Sequence, residues 1–396
     1  MDTQRTPVLL ILTIWVGGLC AAMQFGKIAV IFPQIAALYP EAGASIGFVL
    51  SFISFLGLVL GVVAGILAAR IGFRRLLLGA LTAGALISLY QATLPPLPLM
   101  LASRLVEGLS HLAIVVVAPT MIAQLSSDRA RPFFMTLWGG FFAVSLSLAA
   151  WAGVPLVEAQ GIPALFLCHA VVMGAVAAVL FFTLPKVGTN PEKGQPIRLR
   201  EVAADHLRIY ASPWVAAPAL GWIFYTLTFV AMVTILPVYA PEENQALLRT
   251  VMPLMGFVAS ITLGTLLLRF MSGVAVTVLG FGLSMLCGIA VWALPAALWP
   301  PIALFAALGL VQGAGFAAVP QLNPTANGRV RANGALAQCG NLGNLAGTPL
   351  LLAMLNWWGW TAVLVLVLVC YTAGMAVHLD AARRRKRTAQ DGVVPV

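Results

Sequence analysis

Hydrophobic residues run along this chain in long blocks, broken by short polar turns. Twelve blocks reach the roughly 20 residues that a helix needs to cross the apolar core of a bilayer. They lie near 8–32, 44–69, 75–94, 97–121, 133–156, 162–184, 213–239, 248–269, 273–294, 298–320, 332–355 and 359–380. Barrel strands would be about 10 residues long with alternating polarity, so block length predicts helices. The first block is too long for the apolar stretch of about 7–15 residues in a signal peptide, and reads as a first span. The pattern therefore predicts an all-α membrane protein of 12 transmembrane helices. One connection, 185–212, is long and polar and contains Pro191, Gly194 and Pro196. It divides the chain into an N-terminal six-helix bundle (1–184), a central loop (185–212), a C-terminal six-helix bundle (213–380) and a basic tail (381–396).

Composition agrees with lipid as the solvent. Hydrophobic residues make up 61% of the chain and charged residues 9%, against about 25% charged in soluble domains. The net charge of +10 raises the question of nucleic acid. The basic residues, however, sit in short turns and the tail, so no nucleic-acid partner is expected. With the N-terminus in the cytoplasm, nineteen of the 22 basic residues fall on the cytoplasmic side. These are Arg5; Arg70, Arg74 and Arg75; Arg129 and Arg131; Lys186, Lys193, Arg198, Arg200 and Arg208; Arg269; Arg329 and Arg331; and the run Arg383 to Arg387. Arg249 alone lies outside. Such a bias orients helices in bacterial membranes. It predicts a multi-pass protein of a bacterial-type inner (plasma) membrane with both termini cytoplasmic. Trp299, Trp357, Trp358 and Trp360 fall at the outer ends as interfacial anchors.

The five cysteines lie in different blocks with no metal-ligand spacing. His111, His169, His206 and His378 are scattered and form no His-Glu-x-x-His motif. No metal, no cofactor and no enzyme chemistry is expected. No Gly-x-x-x-x-Gly-Lys loop occurs, which argues against a nucleotide-driven pump.

The two halves repeat. Gly65-Ile-Leu-Ala-Ala-Arg70 leaves span two and Gly264-Thr-Leu-Leu-Leu-Arg269 leaves span eight. Arg104-Leu-Val-Glu107-Gly108 in span four matches Gly309-Leu-Val-Gln312-Gly313 in span ten. Phe32-Pro33 and Leu236-Pro237 end spans one and seven. Three matches at nearly the same offset point to a duplicated unit of a secondary transporter.

The stretch from Gly65 through Arg70, Gly72, Arg74 and Arg75 resembles the loop 2–3 signature of the major facilitator superfamily, and Arg104 followed by Gly108 resembles its span-four motif. The resemblance implies two pseudo-symmetric six-helix bundles, a central cavity lined by spans one and four, and a monomer. It implies a gating role for Gly65, Arg70, Gly72, Arg74 and Arg75, with Arg269 as the counterpart of Arg70. Two positions depart from the signature: Ala69 replaces the family's latching acid and Phe73 its arginine. Asp128, near Arg70 or Arg74, is the candidate substitute latch. Gly139-Gly140 in span five lacks the following Gly-Pro of the family's drug antiporters.

Three formal charges lie well inside spans: Lys27, Arg104 and Glu107. Ionisable residues at such depth are costly and mark function. At 1.5 Å per residue, Lys27 lies roughly 8 Å from the outer end of its span, Arg104 roughly 10 Å in and Glu107 roughly 15 Å in. His111 follows on the face of Arg104 and Glu107. Lys27 and Arg104, with Gln24, Gln312, Gln338, Asn341 and Tyr225, are the candidate substrate-binding residues; Glu107 and His111 are the candidates for proton coupling. A structural Arg104–Glu107 pair, a Lys27 that snorkels to the headgroups and a packing histidine are the competing readings. Asn333, Gln338, Asn341, Asn344 and Thr348 form a polar stripe on span eleven that should turn away from lipid. The net positive charge favours a small anionic organic solute, carried with proton coupling. Alternatives are a drug or metabolite exporter working as a proton antiporter, and a non-transporting sensor or assembly factor of the same fold.

Overall fold

In a computed structural model, residues 6–185 and 199–390 are described. Arg5, Lys186, Lys193 and Arg198 lie outside them. The described residues are helical, without strands. In hydrocarbon every backbone N–H and C=O needs an internal partner, and a helix supplies it within one segment. Ten helices among the described residues are long and apolar enough to cross a membrane. The other two expected blocks are helical as well: Phe48–Ile71, and the first part of Ala326–Gln390, where Gly359 breaks the helical geometry. The helices are thus compatible with twelve spans.

Several boundaries follow local chemistry. Proline occupies the first turn of Leu97–Leu125, Ile162–Thr183 and Trp299–Leu322, where its missing N–H costs nothing. The fifth span is divided into Arg131–Gly139, Phe141–Leu148, a π turn at Ala149–Gly153 and Val154–Gln160. The eighth is Glu242–Ala259, a π turn at Ser260–Gly264 and Thr265–Leu267. The central connection, read from sequence as a loop, carries the helix Leu199–Ala211. The last helix continues through the basic run to Gln390.

Contacts group the chain into two compact units, Met1–Ala130 with Phe141–Pro196, and Arg131–Gly140 with Ile197–Val396. In the first unit the fourth span packs on the first, second and third, and the third on the sixth. In the second unit the tenth packs on the seventh, eighth and ninth. Phe281 and Met285 of the ninth meet Gly374 and Thr372 of the twelfth. The same pairing scheme serves both halves, as a duplicated unit requires.

Candidate functional site

The first unit closes over a charged cluster. Arg104 and Glu107 are one turn apart on Leu97–Leu125, so both point from one face. Lys27 comes from the last turn of Val8–Ala29. All three side chains are fully buried. The Lys27 ammonium donates to Glu107 Oε1 at 2.7 Å, Gln91 Oε1 at 2.7 Å and Ser88 Oγ at 2.8 Å. That uses its three protons. Glu107 Oε2 accepts from Gln91 Nε2 at 2.8 Å and from Arg104 Nη1. Arg104 also donates through Nε to the Val49 carbonyl and through Nη1 to the Gln24 carbonyl, each at 2.8 Å. Its Nη2 has no hydrogen-bond partner among the described residues, nor has Gln24 Oε1.

Two features hold the cluster in place. Gly108 lets the second span approach the fourth: a Cβ there would stand 2.6 Å from the Ile53 carbonyl oxygen. That approach delivers the Val49 carbonyl, one turn earlier, to Arg104. Toward the chain ends of these helices, Ile28, Ile31, Ile35, Val49, Met100 and Phe166 form a dry apolar layer. The Phe166 ring lies 5.1 Å from Lys27 Nζ and adds a cation–π contact.

Sequence reasoning missed four members of the network. Ser88 and Gln91 on the third span take two of the Lys27 protons, and Ser103 accepts from Gln91 Nε2 at 3.0 Å. His169 on the sixth span lies 2.9 Å from both Ser88 Oγ and the Cys20 carbonyl. Small polar residues are common in membrane helices, and nothing in their spacing distinguishes these. His111, expected beside Glu107, is instead paired through Nδ1 with the Ala21 carbonyl at 2.8 Å and packs on Phe25. Gln24 donates to Ser110 Oγ at 3.0 Å.

The remaining candidates lie in the second unit. Gln312, at the repeat position of Glu107, donates to the Gly139 carbonyl. Gln338 accepts from the Tyr210 hydroxyl at 2.6 Å. Asn341 donates to Ala337 of its own helix at 2.8 Å. Tyr225 is buried and its hydroxyl has no partner among the described residues. Its ring stacks between Trp222, at 4.4 Å, and Phe229, at 5.0 Å. Trp222 in turn meets Phe316. The signal for this ladder was present as aromatics three and four residues apart on one helix.

Of the gating candidates, Gly65 lies within Phe48–Ile71, and Gly72 ends that helix with φ 96°, a conformation that favours glycine. Arg74 donates to the carbonyls of Phe181 and Leu184 at the end of the sixth span and lies over the Phe181 ring. It thereby caps a helix C-terminus, where a cation is favoured. Arg70 is half-buried; Arg75 and Arg269 are exposed. No group of three or more metal-ligating residues occurs among the described residues.

A sequence model of the Major Facilitator Superfamily matches residues 14–326. No curated protein sequence matches the chain. Among solved structures, the chain is similar to the human organic anion transporter MFSD10, with a TM-score of 0.75 and 16% identity over 96% of this chain and 99% of that one. It is similar to the E. coli fucose:proton symporter FucP, with a TM-score of 0.73 and 14% identity over 95% of this chain and 99% of that one. It is also similar to the proton:xylose symporter XylE, with a TM-score of 0.73 and 13% identity over 93% and 94%. At these identities the likeness is one of fold.

Proposed function

The chain belongs to the Major Facilitator Superfamily, and from that premise we propose that it is a secondary transporter of a small anionic organic solute, coupled to protons. The observation that carries the reading is the buried cluster: among the described residues two cations share one carboxylate, and Arg104 Nη2 is left without a hydrogen-bond partner. An uncompensated charge away from water is expensive. A solute carboxylate would supply the missing negative charge.

Proton coupling follows from the same arithmetic of charge. If Glu107 takes a proton as the solute arrives, the solute replaces it as counter-ion to Lys27 and Arg104. The cluster then holds the same net charge before and after. The cargo, one proton with one monoanion, crosses as a neutral pair. Transport would proceed by alternating access, as in other transporters built from repeated bundles. Gly72, Arg74, Arg75 and Arg269 would act at the gate. The protein would sit as a monomer in a bacterial-type inner membrane with cytoplasmic termini. The proteins of similar fold, an organic anion transporter and two proton symporters, accord with this reading.

The aromatic ladder of Trp222, Tyr225 and Phe229 favours a second reading, a neutral solute with a ring face, such as a sugar. One experiment separates the two. Purified protein is screened by thermal unfolding against carboxylates, inorganic anions, sugars and cationic drugs, and hits are tested for uptake into proteoliposomes under an imposed pH gradient. A ligand at 100 times its Kd should stabilise by about 2.7 kcal/mol. The anion reading expects stabilisation by a carboxylate, uptake driven by an inward proton gradient, and loss of both in Lys27→Met. Stabilisation by a sugar alone, unchanged in Lys27→Met, would overturn it.

A further inference from the structure

At the end of the twelfth span a cavity of about 300 Å³ opens between the helix Leu199–Ala211, the start of the seventh span and the last turns of the membrane helix. Its walls include Tyr210, Ser212, Leu220, Val377, Asp380 and Arg384. Asp380 and Arg384 are one helical turn apart on one face, a spacing at which opposite charges pair readily. They do not pair. Arg384 turns its Nη2 to the Ala211 carbonyl at 2.9 Å, and its neighbour Arg385 donates to the Pro213 carbonyl at 2.6 Å. The Asp380 carboxylate makes no hydrogen bond or ion pair among the described residues. The cavity therefore presents a carboxylate without a partner among the described residues and, one turn along the same helix, a guanidinium with unused N–H groups.

Its surroundings are apolar and basic. Leu220 is an exposed apolar side chain at the rim, and Leu207 on the neighbouring helix is 73% exposed beside His206 and Arg208. Helices with that mixture lie in the bilayer interface. Arg383, Lys386 and Arg387 continue the basic run beyond the cavity and are exposed. They attract anionic surfaces without regard to headgroup shape.

We propose that this cavity binds one zwitterionic aminophospholipid of the phosphatidylethanolamine type. Its phosphate meets Arg384, its ammonium meets Asp380, and its acyl chain follows Leu220 and Val377. Guanidinium is suited to phosphate geometry. Asp380 disfavours a purely anionic headgroup, and a quaternary amine offers the carboxylate no N–H. The apolar rim selects a lipid over a soluble phosphate ester. The site is independent of the transported solute.

The test is native mass spectrometry of the full-length protein in mild detergent, presented separately with phosphatidylethanolamine, phosphatidylcholine, phosphatidylglycerol and acyl-free phosphoethanolamine. One phosphatidylethanolamine should be retained about tenfold better than each of the others. Asp380→Asn, a near-isosteric change at an exposed position, should erase the preference for the amine while leaving phospholipid retention. Arg384→Gln should remove retention altogether. Lys386→Gln with Arg387→Gln should change nothing. Equal retention of the three lipids by the wild type, a preference that survives Asp380→Asn, or loss on changing Lys386 and Arg387 would each overturn the proposal. Equal binding of phosphoethanolamine would overturn the lipid assignment. If Arg384→Gln does not fold, Asp380→Asn still decides.

Discussion

Among the described residues Glu107 is the one counter-charge to two buried cations, so its loss and the loss of a cation have different consequences. Glu107→Gln leaves Lys27 and Arg104 facing one another in a dry bundle. The cost of breaking a buried pair in this way is about 3–5 kcal/mol. Lys27→Met leaves a one-to-one pair of Arg104 and Glu107, but strips a donor from Ser88, Gln91 and Glu107. Unsatisfied buried acceptors cost about 1–3 kcal/mol. Thermal unfolding in detergent should therefore rank Glu107→Gln below Lys27→Met; the reverse order would show that Glu107 is not the counter-ion that holds the cluster. At this scale the three charges were legible because an ionisable residue stands out in an apolar block. Their partners were not. Ser88, Gln91 and His169 become significant only when the third and sixth spans are brought against the first. His111 shows the limit from the other side, since shared helical phase with Glu107 did not decide which acceptor its ring would meet.

Helix-to-helix approach depends on a few positions where a side chain cannot be added. At Gly108 an added Cβ would press on the Ile53 carbonyl, which belongs to backbone and cannot swing aside. Gly108→Ala must part the second and fourth spans and draw the Val49 carbonyl from Arg104, at a cost of about 1–3 kcal/mol. Gly79→Ala on the third span meets nothing within 4 Å among the described residues and should leave the melting temperature no lower. Equal melting of the two variants would refute the close-approach argument. At Gly72 no described residue lies near an added Cβ either, but φ is 96°. Gly72→Ala therefore has a purely conformational cost of roughly 1–3 kcal/mol, and should lower stability where Gly79→Ala does not. Helix existence at this scale was legible from block length alone. Interior irregularities were not, because the π turns at Ala149–Gly153 and Ser260–Gly264 carry no distinctive residues. The helix Leu199–Ala211 was hidden because Pro191, Gly194 and Pro196 just before it set the reading of the whole connection.

For the whole molecule, architecture follows from two patterns that need no structure to see: twelve apolar blocks and an asymmetric distribution of arginine and lysine. The helices agree with the first, and the shared pairing scheme of the two units agrees with the internal repeat. Orientation rests on charge. A basic side chain resists passage across the bilayer during insertion, so turns rich in arginine stay on the side of synthesis. Arg75, exposed between spans two and three, and Trp299, 56% exposed at the start of span ten, should then face opposite compartments. With Cys20, Cys168, Cys287, Cys339 and Cys370 replaced, Arg75→Cys should react with a membrane-impermeant maleimide only after permeabilisation. Trp299→Cys should react in intact spheroplasts. These two positions are separated by seven membrane crossings in the twelve-span count. A single missed or surplus helix between them would put both on the same side, and a reversed insertion would exchange their behaviour. Labelling of both from outside would thus refute the span count, while exchanged labelling would refute the charge rule and move the Lys27 cluster to the cytoplasmic half of the membrane.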